Sequence, residues 1–219
     1  EAAMLPAQAL APKPGDTVWD LCAAPGGKSL QLAEMVGGEG RVYAADLREQ
    51  RVHLMKKEFA RLSVNNIIVF QADATTALDW QAAAKPDRIL LDVPCSGLGL
   101  IGSKPELKLA WNSRAVSAEL VPLQKAILEQ ASGQLRSGGS MVYSTCTLNP
   151  AENQEQIRGF LARHPDYHLA AITGQLGAAG DKLQQLDPSL YAAMAEGMIT
   201  LWPHRTHSEG FFVALLQKE

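Results

Sequence analysis

Two cysteines of this 219-residue chain each sit in a short polar motif directly behind an apolar, β-prone run. Cys95 lies in Leu91-Asp92-Val93-Pro94-Cys95-Ser96-Gly97, and Cys146 in Val142-Tyr143-Ser144-Thr145-Cys146-Thr147. A strand ending on such a motif delivers its thiol to the rim where open α/β sheets place their chemistry. Two thiols on one rim point to a covalent mechanism rather than simple binding. The thiolate is the reactive form, so the attacking cysteine needs a lowered pKa or a proton acceptor.

Carboxylates occupy matching positions. Asp46 follows the run from Val42 to Ala45, Asp73 the run from Val69 to Ala72, and Asp92 the run from Ile89 to Leu91. A carboxylate behind a second strand can accept both hydroxyls of a ribose, and one behind a third can meet an exocyclic amine. Each alone reads equally well as a cap. Three at successive strand ends, after a Gly-rich loop, exceed what caps explain. That loop is Asp20-Leu21-Cys22-Ala23-Ala24-Pro25-Gly26-Gly27-Lys28. Its small residues let the backbone approach a ligand, and the helix it opens offers unpaired N–H groups to an anion. The spacing is neither G-x-G-x-x-G nor a P-loop, and Pro25 lacks a donor that a phosphate cradle would use. A carboxylate-bearing ligand fits better than a pyrophosphate.

The elements that must position these groups alternate along the chain. Strands are expected from Thr17 to Leu21, Arg41 to Ala45, Asn66 to Phe70, Arg88 to Leu91, Ser140 to Ser144, Tyr167 to Ile172 and Phe211 to Leu216. Helical spacing runs from Ser29 to Val36, Glu49 to Leu62, Leu120 to Leu135 and Pro150 to Arg163. The pattern predicts an α/β fold, a mostly parallel sheet with helices on both faces. The last strands lack a clear crossover helix, which predicts an antiparallel strand near one edge. Residues 1–16 read as an N-terminal helix, Ala2 to Leu10, and a Pro/Gly linker. Residues 17–219 form the catalytic domain, with 174–200 as a partly helical insertion.

Bulk properties set outer limits. The hydrophobic fraction of 47% is ample for a large core, and a net charge of −3 advertises no polyanion partner. A local basic patch, Arg41, Arg48, Arg51, Lys56, Lys57 and Arg61, can serve instead, although a solvated helix face explains the same residues. Three cysteines without a Cys-x-x-Cys pair or a nearby His set disfavour a disulfide framework and a metal site. Reduced thiols in a cytoplasmic compartment fit better. No apolar stretch approaches membrane-spanning length. The chain opens on Glu1, and the reading is of a piece of a longer protein or a processed product, with an N-terminal module outside it. His164, His168, His204 and His207 are scattered. Trp19, Trp80, Trp111 and Trp202 read as packing residues more readily than as platforms for a base.

Taken together, the Asp20–Lys28 loop, Asp46, Asp73, Asp92-Val93-Pro94-Cys95 and Ser144-Thr145-Cys146 resemble the Nop/Sun family of RNA (cytosine-5)-methyltransferases. The resemblance covers nearly the whole chain and is nearest to bacterial members that modify 16S ribosomal RNA. It implies a Rossmann-like methyltransferase fold, S-adenosyl-L-methionine as cofactor, and an RNA partner with an unstacked target base. It implies that Cys22, Ala23, Ala24, Pro25, Gly26, Gly27 and Lys28 surround the methionine end of the cofactor. Asp46 would take the ribose, Asp73 would lie near the adenine, and Asp92 would line both the cofactor and base pockets. Cys146 would be the nucleophile and Cys95 would assist release. Asp92, protonated or bonded to ring nitrogen 3, would stabilise charge on the base, and a raised pKa would serve that role. Lys28 at the pocket mouth can touch the base. The missing N-terminal part would carry much of the RNA affinity. Residues Gly102 to Lys108 carry fewer arginines than the family's usual basic stretch. Cytosine-5 enzymes of DNA use the thiol of a Pro-Cys motif, which here is Cys95. Alternatives remain: a transfer RNA target, a small-molecule or protein-amide methyltransferase, and a non-catalytic RNA-binding module.

Overall fold

The computed structural model describes residues 2–76 and 85–219. The apolar runs become strands, because β-branched and aromatic residues pack well on a pleated, buried surface. Parallel pairing joins β1 (Thr17–Asp20), β2 (Arg41–Asp46), β3 (Ile67–Gln71), β4 (Arg88–Asp92) and β5 (Ser140–Thr145). The chain then adds β6 (Tyr167–Leu169), β7 (Met198–Leu201) and β8 (Phe211–Lys218). The spatial order is β3-β2-β1-β4-β5-β8-β6, with β7 also paired to β8. The antiparallel strand foreseen near one edge is β8, inserted between β5 and the end-to-end pair β6 and β7.

The helices are α1 (Leu5–Leu10), α2 (Gly27–Val36), α3 (Glu49–Arg61), α4 (Glu106–Ala110), α5 (Ser113–Ala115), α6 (Val121–Gln134), α7 (Gln154–Leu161), α8 (Gly177–Leu186), α9 (Ser189–Glu196) and α10 (Pro203–Thr206). Alternation along each strand splits the core. Val18, Leu90, Val142, Val213 and Leu215 pack under α1, α2, α8 and α9. Trp19, Ile89, Leu91, Tyr143 and Phe212 pack against α6 and α7 on the opposite face. A smaller cluster, with Val52, Met55 and Phe59, seats α3.

Several elements depart from the expected ones. Residues 150–163 are not one helix. A 3₁₀ turn, Pro150–Glu152, precedes α7, and Asn153 breaks the run at φ −119°, ψ −103°. β6 stops at Leu169. The segment 174–200 holds α8, α9 and β7, and Leu183, Leu190, Met194 and Ile199 are buried in the first core cluster. Within residues 1–16, α1 is buried at Ala7 and Ala9 and packs on β4, β5 and β8. Among the described residues no helix is long and apolar enough to cross a membrane.

From β1 the chain moves outward through β2 and β3, then returns to place β4 on the other side of β1. The crevice at that reversal, beyond the carboxyl ends of β1 and β4, is where open α/β sheets bind ligands.

Candidate active site

The loop behind β1 turns sharply into α2 through Gly26, at φ +106°. An L side chain is disfavoured there, and a Cβ would come within 2.7 Å of the Phe59 ring. Gly26 therefore faces α3, while Cys22, Ala23, Ala24, Pro25, Gly27 and Lys28 line a cavity of about 410 Å³. Asp20 and Asp92 complete its polar wall, and Ala3 and Met4 close it from the N-terminal segment. The first amides of α2 lack intrahelical partners by geometry. A larger cavity, about 480 Å³ between α1, α8 and α10, is lined by none of the rim thiols or carboxyls.

The carboxyls differ in setting. Asp20 is 1% exposed. Its Oδ2 accepts from Ser29 Oγ at 2.6 Å, and its Oδ1 is buried without a partner. Burial pushes its pKa up to about 7, against the pull of the Ser29 hydroxyl. Asp92 accepts from Lys28 Nζ at 2.6 Å on one oxygen and from Ser144 Oγ at 2.9 Å on the other. Both carboxyl oxygens of Asp92 are thus engaged by donors from within the chain. Asp46, buried, accepts from the Arg48 amide at 2.9 Å, with Arg51 Nη1 3.7 Å from its other oxygen. Asp73 accepts from the Thr75 hydroxyl at 2.7 Å and amide at 2.9 Å, and these bonds lower its pKa. Neither Asp46 nor Asp73 lines the cavity wall itself. Both still act on Cys22, whose thiol is pushed up first by burial and then by Asp20, Asp92, Asp46 and Asp73. Cys22 is thus held as a neutral thiol, a small wall residue.

The two other thiols meet. Cys95 Sγ and Cys146 Sγ lie 3.3 Å apart, both half-buried. The shared hydrogen bond raises the pKa of Cys95 well above the ordinary thiol value and lowers that of Cys146. These directions suit a Cys95 S–H donating to the Cys146 sulfur; burial and the Asp92 charge oppose ionisation of Cys146, and Lys28 favours it more weakly than Asp92 opposes it. Lys28 also stands 5.7 Å from the Phe211 ring centroid. A thiolate, a cation held by a carboxylate, and a neighbouring ligand cavity can together support nucleophilic attack on an electron-poor ring.

Sequence reading missed Asp20 as a distinct group and also Glu152, which is fully buried. The run Asn149-Pro150-Ala151-Glu152-Asn153 was the available signal, a carboxylate set among turn formers. Asn149 caps the turn by accepting from the Ala151 amide, and Asn153 bonds Thr145 and the Thr147 carbonyl. Away from the site, His164 pairs with Glu129 and stacks on Phe160. Trp19 is buried in the core, and Trp111 and Trp202 are exposed. Trp80 lies outside the described residues.

The model of the 16S rRNA methyltransferase RsmB/F family matches residues 7–217. A probable ribosomal RNA small subunit methyltransferase B of Synechocystis is 40% identical, over 97% of this chain and 45% of its own length. That of Bacillus subtilis is 36% identical, over 100% of this chain and 47% of its own. The structure of NSun6 from Pyrococcus horikoshii with SFG superposes with a TM-score of 0.79 at 31% identity, covering 99% of this chain and 51% of that one. The chain spans about half the length of the curated relatives it matches. The paired thiols, the switch-point cavity and a match over nearly every residue agree: this chain belongs to the 16S rRNA methyltransferase RsmB/F family.

Proposed function

We propose that this chain transfers a methyl group from S-adenosyl-L-methionine to carbon 5 of a cytosine in small-subunit ribosomal RNA, in the cytoplasm. The observation that carries the reading is the Cys95–Cys146 pair, 3.3 Å apart beside the cavity that Lys28 and Asp92 line. A cavity of about 410 Å³ falls in the size range of small-molecule sites. Its loop from Cys22 to Lys28 would hold the methionine end, and the unpaired Asp20 Oδ1 would accept from the ligand ammonium. Asp46 and Asp73 would reach the ribose and adenine. The cofactor supplies an electrophilic methyl group.

Carbon 5 of cytosine is a weak nucleophile. Addition of the Cys146 thiolate to carbon 6 moves an electron pair onto carbon 5 and its conjugated ring. Lys28, held by Asp92, offers its charge to the ring as that density develops. Carbon 5 would then bond the methyl group with that electron pair, the methyl–sulfur bond breaking with its own pair left on the donor sulfur, which departs as a neutral thioether. The shared proton begins on Cys95, so Cys95 must release it to solvent once Cys146 is bound to carbon. The Cys95 thiolate then takes the carbon-5 proton, the C5=C6 bond reforms, and Cys146 leaves as thiolate. The starting hydrogen bond is restored, and one proton has gone to solvent for each methyl transferred.

Unmodified small-subunit RNA incubated with the protein and labelled S-adenosyl-L-methionine tests the reading. Label should enter RNA, and one cytosine should become resistant to bisulfite conversion. Cofactor binding in calorimetry with label entering no cytosine of ribosomal RNA would contradict it.

A further inference from the structure

We infer that Glu152 is a positioning residue whose buried carboxylate ties the Cys95 loop to the Cys146 loop and sets the sulfur separation. The inference rests on the thiol-pair reading above. Glu152 has 0% exposure, a costly place for a carboxylate. Four neutral donors satisfy it. The Ser96 amide and Gln124 Nε2 donate to Oε2 at 2.8 and 3.0 Å, and Ser96 Oγ and Asn149 Nδ2 to Oε1 at 2.6 and 3.0 Å. Ser96 follows Cys95 directly. Its hydroxyl has one proton, already given to Glu152, so the 2.7 Å contact with Thr147 Oγ1 makes Thr147 the donor. Thr147 follows Cys146 directly. A relay of Thr147 hydroxyl, Ser96 hydroxyl and Glu152 carboxylate therefore bridges the residues next to both thiols. Tyr143 of β5 anchors the turn by donating its hydroxyl to the Glu152 carbonyl at 2.7 Å.

Glu152 touches neither sulfur in these contacts, so its action on them is geometric. Two readings of its charge then differ in sign. As a clamp, it keeps the Cys95 S–H on the Cys146 thiolate, and its loss should raise the Cys146 pKa. As a mere nearby negative charge, it disfavours the thiolate, and its loss should lower that pKa. Glu152→Gln presents an amide donor to groups that already donate, which loosens the clamp.

The rate of Cys146 alkylation by iodoacetamide, followed against pH by mass spectrometry without RNA, separates these readings. Glu152→Gln should shift the profile upward by about one pH unit, with about tenfold slower alkylation at pH 7. Ser96→Ala should move it in the same direction by less, and it decides the matter where Glu152→Gln does not fold. An unchanged profile in a folded variant, or a downward shift, overturns the clamp. The assay needs neither RNA nor cofactor. Absence of methyl transfer by the unaltered protein, together with the expected alkylation shift in the variants, would refute the function and leave the clamp standing.

Discussion

Asp20 is a site carboxyl whose environment is unfavourable to its charge. It is 1% exposed, one oxygen lacks a partner, and its pKa rises from 3.8 to about 7. An acid whose folded pKa exceeds its unfolded value makes no contribution below the unfolded pKa, where both states are protonated. Between the two values the folded state binds the extra proton, so stability falls as pH rises from about 4 to about 7 and stays low above. At about 1.4 kcal/mol per unit the cost at pH 8 is on the order of 4 kcal/mol. Asp73 and Glu129, whose pKa values are lowered, work oppositely and lose their contribution as pH falls. Comparison of Asp20→Asn with the parent isolates Asp20. The variant should melt higher at pH 8 and at nearly the same temperature at pH 4, and should bind S-adenosyl-L-methionine more weakly. Equal melting differences at both pH values would contradict the assignment. Cys95, Cys146 and Asp92 were legible in sequence because each ends an apolar run with a group that has chemistry of its own. Asp20 and Glu152 were not, since their roles depend on burial and on partners as far as 56 residues away.

At the scale of elements, β4 and β5 could be read directly, because each carries a buried apolar run, Ile89 to Leu91 and Met141 to Tyr143. The Pro150 helix was misread because Asn153 has ordinary helix-compatible neighbours. Its side chain is drawn instead to Thr145 at 2.6 Å and to the Thr147 carbonyl at 2.9 Å. β7 was missed because it is a four-residue strand behind a Gly- and Ala-rich stretch, and β8 supplies the pairing that defines it. The Cys146 loop depends on a close crossing of backbones. The Gly99 amide donates to the Cys146 carbonyl at 2.9 Å, and the Gly210 amide to the Gly99 carbonyl at 2.9 Å. A Cβ on Gly99 would sit 2.0 Å from the Gly210 oxygen and 2.8 Å from the Cys146 oxygen. Backbone cannot yield as a side-chain tip can. Gly99→Ala should cost about 3 kcal/mol or more by chemical denaturation and should slow Cys146 alkylation. A stable variant with unchanged thiol reactivity would show that the crossing does not hold the loop.

Across the whole molecule, the strand order reverses between β1 and β4, and this brings the cavity and the thiol pair to one rim. The alternation of strands and helices announced the mostly parallel sheet, but the strand order and the placement of β8 inside it needed through-space pairing. Its alternate residues, Phe211, Val213 and Leu215 against Phe212, Ala214 and Leu216, join the two opposite core clusters. The same strand lies beside β5, with Phe212 opposite Thr145, so the sheet steadies the segment from which Cys146 projects. The order in which the two thiols act is tested with protein, RNA and cofactor together. Cys95→Ala and Cys146→Ala proteins are each incubated with small-subunit RNA and S-adenosyl-L-methionine and resolved on a denaturing gel. A trapped protein–RNA adduct is expected with Cys95→Ala and none with Cys146→Ala. An adduct that persists in Cys146→Ala and disappears in Cys95→Ala would reverse the roles and contradict the proposed order.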